Sequence, residues 1–262
     1  MKKPLLWTVP LLLLLIASGI RCSCEDDYRR ELVQIADALK KLSESKTVTV
    51  DDIDCKESVN RSDVICKEID GFRWIVVQMR TDSRQNFNRS WEEYRKGFGD
   101  ERNYWIGNEL LHDLTKNESN NSNNSVLRVE LEDWRGNKAW AEYADFSVDS
   151  EPNKYRLNVG KFRGNASDGL SSHNGSLFST YDVKNDEAPE CCPCASAYGG
   201  GWWFNSCFEA NLNGMYRDVS EDAGYYGGII WEPWLGNYSL KRSEMMVRRL
   251  PYRRGTDVPE DP

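Results

Sequence analysis

Chemistry needs activated side chains, and this sequence offers few of them. Its two histidines are His112, inside an apolar-periodic stretch, and His173, in a Ser/Asn/Gly loop. Neither lies in a nucleophile or metal motif, and without a positioned base the many serines are ordinary, so the chain reads as no enzyme. Cys191-Cys192-Pro-Cys194 invites a zinc reading, but an oxidising compartment favours disulfides over metal there. The stretch richest in binding chemistry runs from Cys194 to Tyr216, CASAYGGGWWFNSCFEANLNGMY. Cys194 and Cys207 stand at a spacing that suits a disulfide stapling a loop. The dense glycines let backbone N–H groups face outward, and Tyr198, Trp202, Trp203, Phe204 and Phe208 supply flat apolar surface for a wall or a core. Such a loop can hold a ligand.

The rest of the chain must deliver and position that loop. Lys2 and Lys3 precede an apolar run from Leu5 to Ile16, and the small residues Ala17 and Gly19 follow, which predicts a secretory signal over residues 1–19. A spanning helix needs roughly 20 apolar residues, more than this run supplies, so no membrane span is expected in the mature chain. Eight cysteines in a secreted chain read as disulfides. Eight Asn-x-Ser sequons, at Asn60, Asn88, Asn117, Asn120, Asn123, Asn165, Asn174 and Asn237, are candidate glycosylation sites, three of them in the polar run KNESNNSNNS. Net charge is −8, so no basic footprint argues for nucleic acid. The late arginines Arg248, Arg249, Arg253 and Arg254 read as solvated strand-end residues. Between Tyr28 and Leu42 apolar residues recur at steps of four and three behind Cys22 and Cys24. This predicts a short helical stalk over 20–46, either a coiled coil that makes a homo-oligomer or a single amphipathic helix.

The main domain, 47–254, is followed by a polar tail over 255–262. Phe72 to Met79 reads as a buried strand. Ser90-x-x-Glu93 is a capping-box pattern with Gly97 at the helix stop, and Asn108 is placed as the cap of a second short helix. Leu127, Val129 and Leu131 alternate with polar neighbours, as do Tyr155, Leu157 and Val159, and Trp140 to Phe146 lies between them as a further strand. The fold class is therefore α+β, an antiparallel sheet with short helices beside it.

With these residues in view, the chain resembles the fibrinogen C-terminal domain family, which includes fibrinogen, angiopoietins, ficolins and tachylectin-like lectins. The family pattern of cysteine, Gly-Trp-Trp, cysteine and Asn-Leu-Asn-Gly-x-Tyr is met by Cys194, Gly201 to Trp203, Cys207 and Asn211 to Tyr216. The resemblance runs from about Cys66 to Arg249, and it implies a loop-rich ligand-binding subdomain and a cis peptide between Ser206 and Cys207. It also implies a calcium site in an Asp-x-Asp-x-Asp run. Here that run is Asp182-Val-Lys184-Asn-Asp186-Glu187, so Lys184 replaces a ligand, Asp186 alone matches one, and Glu187 or Glu190 are candidate replacements. Family members use a cysteine at the place of Cys66 to tie down an N-terminal subdomain that is shortened here. A bridge from Cys55 to Cys66 is the economical expectation, and the pairing of Cys22, Cys24, Cys191 and Cys192 stays open.

In ficolins and tachylectins, as the resemblance implies, an acetyl group binds beside the calcium. Its methyl sits in an aromatic funnel and its oxygen on backbone N–H groups, here those of Cys207 and Phe208 across the Ser206-Cys207 peptide. Tyr198 and Tyr225 fall on funnel tyrosines, Phe208 replaces a usual histidine, and Trp234 or Tyr238 stands near the third place. Fibrinogen has an aspartate at the place of Tyr198 that grips a peptide amine, so by resemblance the tyrosine leans toward acetyl recognition. The main expectation is a secreted lectin for N-acetylated glycans in innate recognition or host-surface binding, closest in pattern to ficolins and tachylectins; the alternative is an angiopoietin- or fibrinogen-type ligand of a cell-surface or matrix protein.

Overall fold

The computed structural model describes residues 64–116, 125–217 and 227–249. All of them belong to the second of two units into which the chain divides, Ile53–Pro262. The signal, the stalk with Cys22 and Cys24, Cys55, Tyr225, Arg253, Arg254, the sequons at Asn60, Asn117, Asn120 and Asn123, and the polar tail lie outside the described residues.

The sheet is built around β2 (Phe72–Arg80), where Val76 and Val77 are both fully buried. Consecutive buried residues point to opposite faces of a strand, so β2 is covered on both sides. On one edge β2 pairs with β10 (Arg242–Arg249). On its other edge, β1 (Cys66–Ile69) takes the N-terminal half and β4 (Tyr104–Trp105) the C-terminal half, with β3 (Phe98–Gly99) beyond β4. Beyond β10 come β5 (Ser125–Glu132), β6 (Lys138–Val148) and β7 (Leu157–Gly164), every pairing antiparallel. The alternation in β5 buries Leu127, Val129 and Leu131 against the core, with Leu127 opposite Val247 and Val129 opposite Met245. Tyr155 is buried as its pattern suggested, but it precedes β7 in a turn at φ 49°, so that strand begins only at Leu157.

Two short helices close one end of the sheet. In α1 (Trp91–Lys96), Ser90 and Glu93 form the reciprocal capping box, and Gly97 ends the helix at φ 93°. A Cβ on Gly97 would lie 2.6 Å from the Ile106 carbonyl oxygen, so only glycine fits that close approach. α2 (Asn108–Thr115) starts differently from the expectation. Gly107 is its N-cap, and the Asn108 side chain instead accepts from the Trp105 indole at 3.0 Å, because a buried Trp N–H needs a partner. At the other end of α2, His112 Nδ1 donates to the Val148 carbonyl at 2.8 Å. Arg249 ends its strand exposed to solvent, as expected, and from there donates to the Leu114 and Asp113 carbonyls at 2.8 and 3.0 Å, which serves the helix C-terminus. Arg248 lies over the rings of Phe72 and Trp74.

Candidate functional site

The segment from Cys194 to Tyr216 folds as a helix followed by a staple of loops. α3 (Cys194–Tyr198) leads into the glycine run, and Cys194 is bonded to Cys207 with Cα atoms 5.6 Å apart. Gly200 has φ +76°, and a Cβ there would sit 2.1 Å from the Asn213 carbonyl oxygen, so the loop's two halves touch backbone to backbone. Trp202 exchanges backbone hydrogen bonds with Ser179 at 2.9 and 3.1 Å, and the Trp203 indole donates to the Tyr155 carbonyl at 2.7 Å. Both indoles are fully buried, so this pair belongs to the core, not to an open wall. The peptide between Ser206 and Cys207 is cis.

Two polar residues at the end of β2 fasten this segment to the sheet. Gln78 donates to the Leu212 carbonyl and to Asn213 Oδ1 at 2.8 and 3.2 Å. Arg80 donates to the Leu212 and Gly214 carbonyls at 3.2 and 2.7 Å, with its guanidinium 3.9 Å from the Phe87 ring centroid. Burial pulls the Arg80 pKa down to about 10, which still leaves it charged at neutral pH. Neither residue stood out in the sequence as part of the site. The available signal was a Gln and an Arg at the end of a largely apolar strand, each of which must find hydrogen bonds when buried.

His173 is a second fastening. Its Nδ1 donates to the Trp203 carbonyl at 2.8 Å, while Nε2 accepts from the Glu209 and Ala210 amides, both at 3.2 Å. Two incoming N–H donors require a lone pair on Nε2, so the neutral Nδ1-protonated ring is the form that fits. Burial lowers its pKa in the same direction.

Of the residues assigned to an acetyl pocket, Tyr198 and Phe208 come together, but their rings meet edge to face with centroids 4.9 Å apart. That is a contact distance between aromatic rings, so the space between these two walls is filled by the walls themselves. Phe204 packs on Phe208 from another side at 5.9 Å. Ser206 is exposed and Cys207 half-buried. Trp234 is half-buried against the core, and the Tyr238 hydroxyl accepts from the Trp134 amide at 3.3 Å. Exposed carboxylates surround the Tyr198–Phe208 pair in sequence: Glu187, whose amide donates to the Asn205 carbonyl, then Glu190 and Glu209.

The run that the family uses for calcium is arranged differently here. Asp182 Oδ1 accepts from the Trp91 amide at 2.9 Å and from the Thr180 hydroxyl at 2.7 Å, which makes it an acceptor for the first turn of α1. Lys184 Nζ donates to the Asp186 carbonyl at 2.9 Å and lies 3.7 Å from Asp186 Oδ1 and 3.5 Å from Glu190. The Asp186 side chain is fully buried. Among the described residues no group of three or more His, Cys, Asp or Glu is placed to hold a metal. One buried carboxylate shared with an ammonium does not fit a dication that takes six to eight oxygens.

Cys191 and Cys192 are exposed thiols with sulfurs 2.9 Å apart. Cys66 is disulfide-bonded, and none of the other described cysteines is its partner. Asn88, Asn165 and Asn174 are exposed, with the last two using side-chain oxygens to accept from the Trp140 and Val159 amides. Asn237 is half-buried with its Oδ1 enclosed. No described helix is long and apolar enough to cross a membrane.

Comparison with known proteins follows the same lines. The family model of the fibrinogen beta and gamma chains' C-terminal globular domain matches residues 30–250. Mouse angiopoietin-related protein 7 is 43% identical over 190 residues, covering 71% of this chain and 54% of that one. The chain thus spans about half the length of that relative, and 22% of the human fibrinogen alpha chain, to which it is 42% identical over 201 residues. Among solved structures, the fibrinogen-like globe domain of human ANGPTL6 aligns with TM-score 0.66 and 37% identity over 71% of this chain and 82% of that one. These relatives point to angiopoietin-related proteins and fibrinogen, not to ficolins specifically. A lamprey fibrin D-dimer complexed with the peptide ligand Gly-His-Arg-Pro-amide aligns with TM-score 0.63 and 26% identity over 97% and 96% of the two chains. The glycine-tryptophan loop, its staple and the antiparallel sheet beneath it are those of the fibrinogen C-terminal domain family, and this chain belongs to it.

Proposed function

We propose that the chain is a secreted binding protein whose stapled subdomain docks a cell-surface or matrix protein, in the manner of the angiopoietin- and fibrinogen-type members of its family. The observation that carries this reading is the edge-to-face contact of Tyr198 and Phe208, centroids 4.9 Å apart, which sets two of the expected funnel walls directly against each other. The aromatic pair instead offers half-buried rings to an incoming side chain, with the exposed acidic Glu187, Glu190 and Glu209 near them in sequence. An apolar anchor flanked by a basic residue suits such a rim, and a chain of net charge −8 steers basic partners toward it. The relative solved with a peptide ligand supports protein recognition by this fold. Tyr198 in place of the fibrinogen aspartate argues that the partner is held through side chains and not through a terminal amine. The glycan-binding reading and a calcium-dependent site are weaker for the same reasons. Assembly through Cys22, Cys24 and the Tyr28–Leu42 seam would add avidity to single weak contacts.

The test uses the full-length secreted chain on intact cells. Binding should disappear after trypsin treatment of the cells, persist in excess N-acetylglucosamine or N-acetylgalactosamine, and fall at least tenfold with Tyr198→Ala or Phe208→Ala. Retention on acetylated-sugar resin, with competition by the free sugar, would overturn the protein-partner reading in favour of a lectin.

A further inference from the structure

We infer that the Lys184 ammonium is a tethered replacement for the calcium ion that the fold family implies, so that the loop from Asp182 to Cys194 is held by an internal ion pair and is independent of divalent cations. The argument starts from Asp186, whose side chain is fully buried. A lone carboxylate in such a place either takes a proton or draws in a cation, because its charge has lost water. The nearest cation is built into the chain two residues earlier. Lys184 Nζ donates to the Asp186 carbonyl at 2.9 Å and lies within ion-pair distance of Asp186 Oδ1 at 3.7 Å and Glu190 at 3.5 Å. Its own side chain is 22% exposed, so most of it is withdrawn from solvent.

The remaining contacts of Asp186 agree with this role. Oδ1 also accepts from the Ala188 amide at 3.1 Å, which turns the chain toward Cys191 and Cys192. Oδ2 is buried without a hydrogen-bond partner, and among the described residues the lysine is the cation paired with this carboxylate. Glu190 is 91% exposed and its pairing is screened by water, which leaves Asp186 as the partner that matters. Asp182 is occupied elsewhere by Trp91 and Thr180. A dication entering here would meet one buried carboxylate and an ammonium at repulsive distance. The inference rests on this loop alone and stands whatever partner the subdomain binds.

Thermal unfolding of the full-length secreted chain provides the test, in millimolar calcium chloride and in excess EDTA. The midpoint should be the same in both, and calorimetric titration with calcium should give no saturable heat. Lys184→Met should lower the midpoint by several degrees, and Asp186→Asn made in that background should cost much less than it does alone, because the neutral pair no longer buries a bare charge. A calcium-dependent rise in the midpoint of the unmodified chain, or micromolar calcium binding with Lys184 intact, would overturn the inference. So would strict additivity of the two substitutions. If Lys184→Met is not secreted, the measurements on the unmodified chain still decide.

Discussion

The sheet and the stapled subdomain are held by different forces. In the sheet, the buried rows Val76–Val77, Leu127–Val129–Leu131 and Met245–Met246 pack side chain on side chain along a regular ladder of backbone bonds. In the subdomain from Cys194 to Gly214 the only strand is the two-residue β8 (Ala210–Asn211), paired with β9 (Ile230–Trp231), and beside scattered backbone bonds such as Trp202 to Ser179 many of its carbonyls and amides go to individual side chains: Gln78, Arg80, His173 and Asn213. Burial of apolar area is non-directional and tolerates change, whereas each polar fastening leaves unpaired groups behind when it is removed. The sheet should therefore fail by loss of bulk, and the subdomain by loss of single named atoms.

The largest expected effect is in the sheet. Leu127 is fully buried opposite Val247, and Leu127→Ala should cost roughly 2–5 kcal/mol in denaturant unfolding. A cost below about 1 kcal/mol would mean the sheet is not the main store of stability. Next is the staple. Cys194 and Cys207 enclose a loop of sequence separation 13, and chain-entropy reasoning gives about 3 kcal/mol for loops of that size. Replacing both by serine should speed hydrogen exchange at the amides of 194–213 while β2 and β10 keep their protection. Equal loss of protection in both regions would break the distinction drawn between them.

The same contrast governs what could be read from the residues. Alternation in β5 and the apolar run of β2 reveal the sheet because burial on a pleated surface leaves a period of two in the sequence. The Ser90–Glu93 capping box is equally local and equally visible. The fastenings of the subdomain span far longer separations, 134 residues from Gln78 to Leu212 and 91 from Trp91 to Asp182. A side chain bonding to a distant carbonyl or amide finds a partner that every residue possesses, so no residue type marks the other end. Asn108 shows the competing case, a good capping residue by type whose oxygen is taken by the Trp105 indole. Family resemblance located the loop, but whether Tyr198 and Phe208 left a slot was a matter of rotamers that residue type does not set.

A smaller effect should follow from His173. His173→Ala removes acceptors and donors from Trp203, Glu209 and Ala210 at once, with a cost of about 2 kcal/mol at neutral pH. Its folded pKa lies below the ordinary value because of burial, so the unfolded chain binds the proton first as pH falls. The stability from this group is therefore complete above about pH 6.5 and declines as pH drops from there toward the lower folded value, with a slope of at most about 1.4 kcal/mol per pH unit. Subtracting the pH profile of His173→Gln from that of the unmodified chain should isolate that slope. A flat difference would show that the ring titrates alike in both states.

The smallest effect tests the joint between the two regions. α1 presents buried Tyr94 to Trp105 and Phe178, with ring centroids at 5.5 and 5.3 Å, and Phe178 in turn meets Trp203 at 5.2 Å. The first turn of that helix is held by Ser90, which accepts from the Glu93 amide, and by Asp182, which accepts from the Trp91 amide. Removing an N-cap hydroxyl costs about 1 kcal/mol, so Ser90→Ala should lower global stability by that amount. Asp182→Ala removes an acceptor from the same turn but also loosens Thr180, which lies on the subdomain side. If α1 couples the regions, the two substitutions made together should cost less than their sum, because a turn already frayed by one loses little to the other. Strict additivity in that double-mutant cycle would mean that Asp182 serves its own loop only, and that the sheet and the binding subdomain meet through their aromatic packing alone.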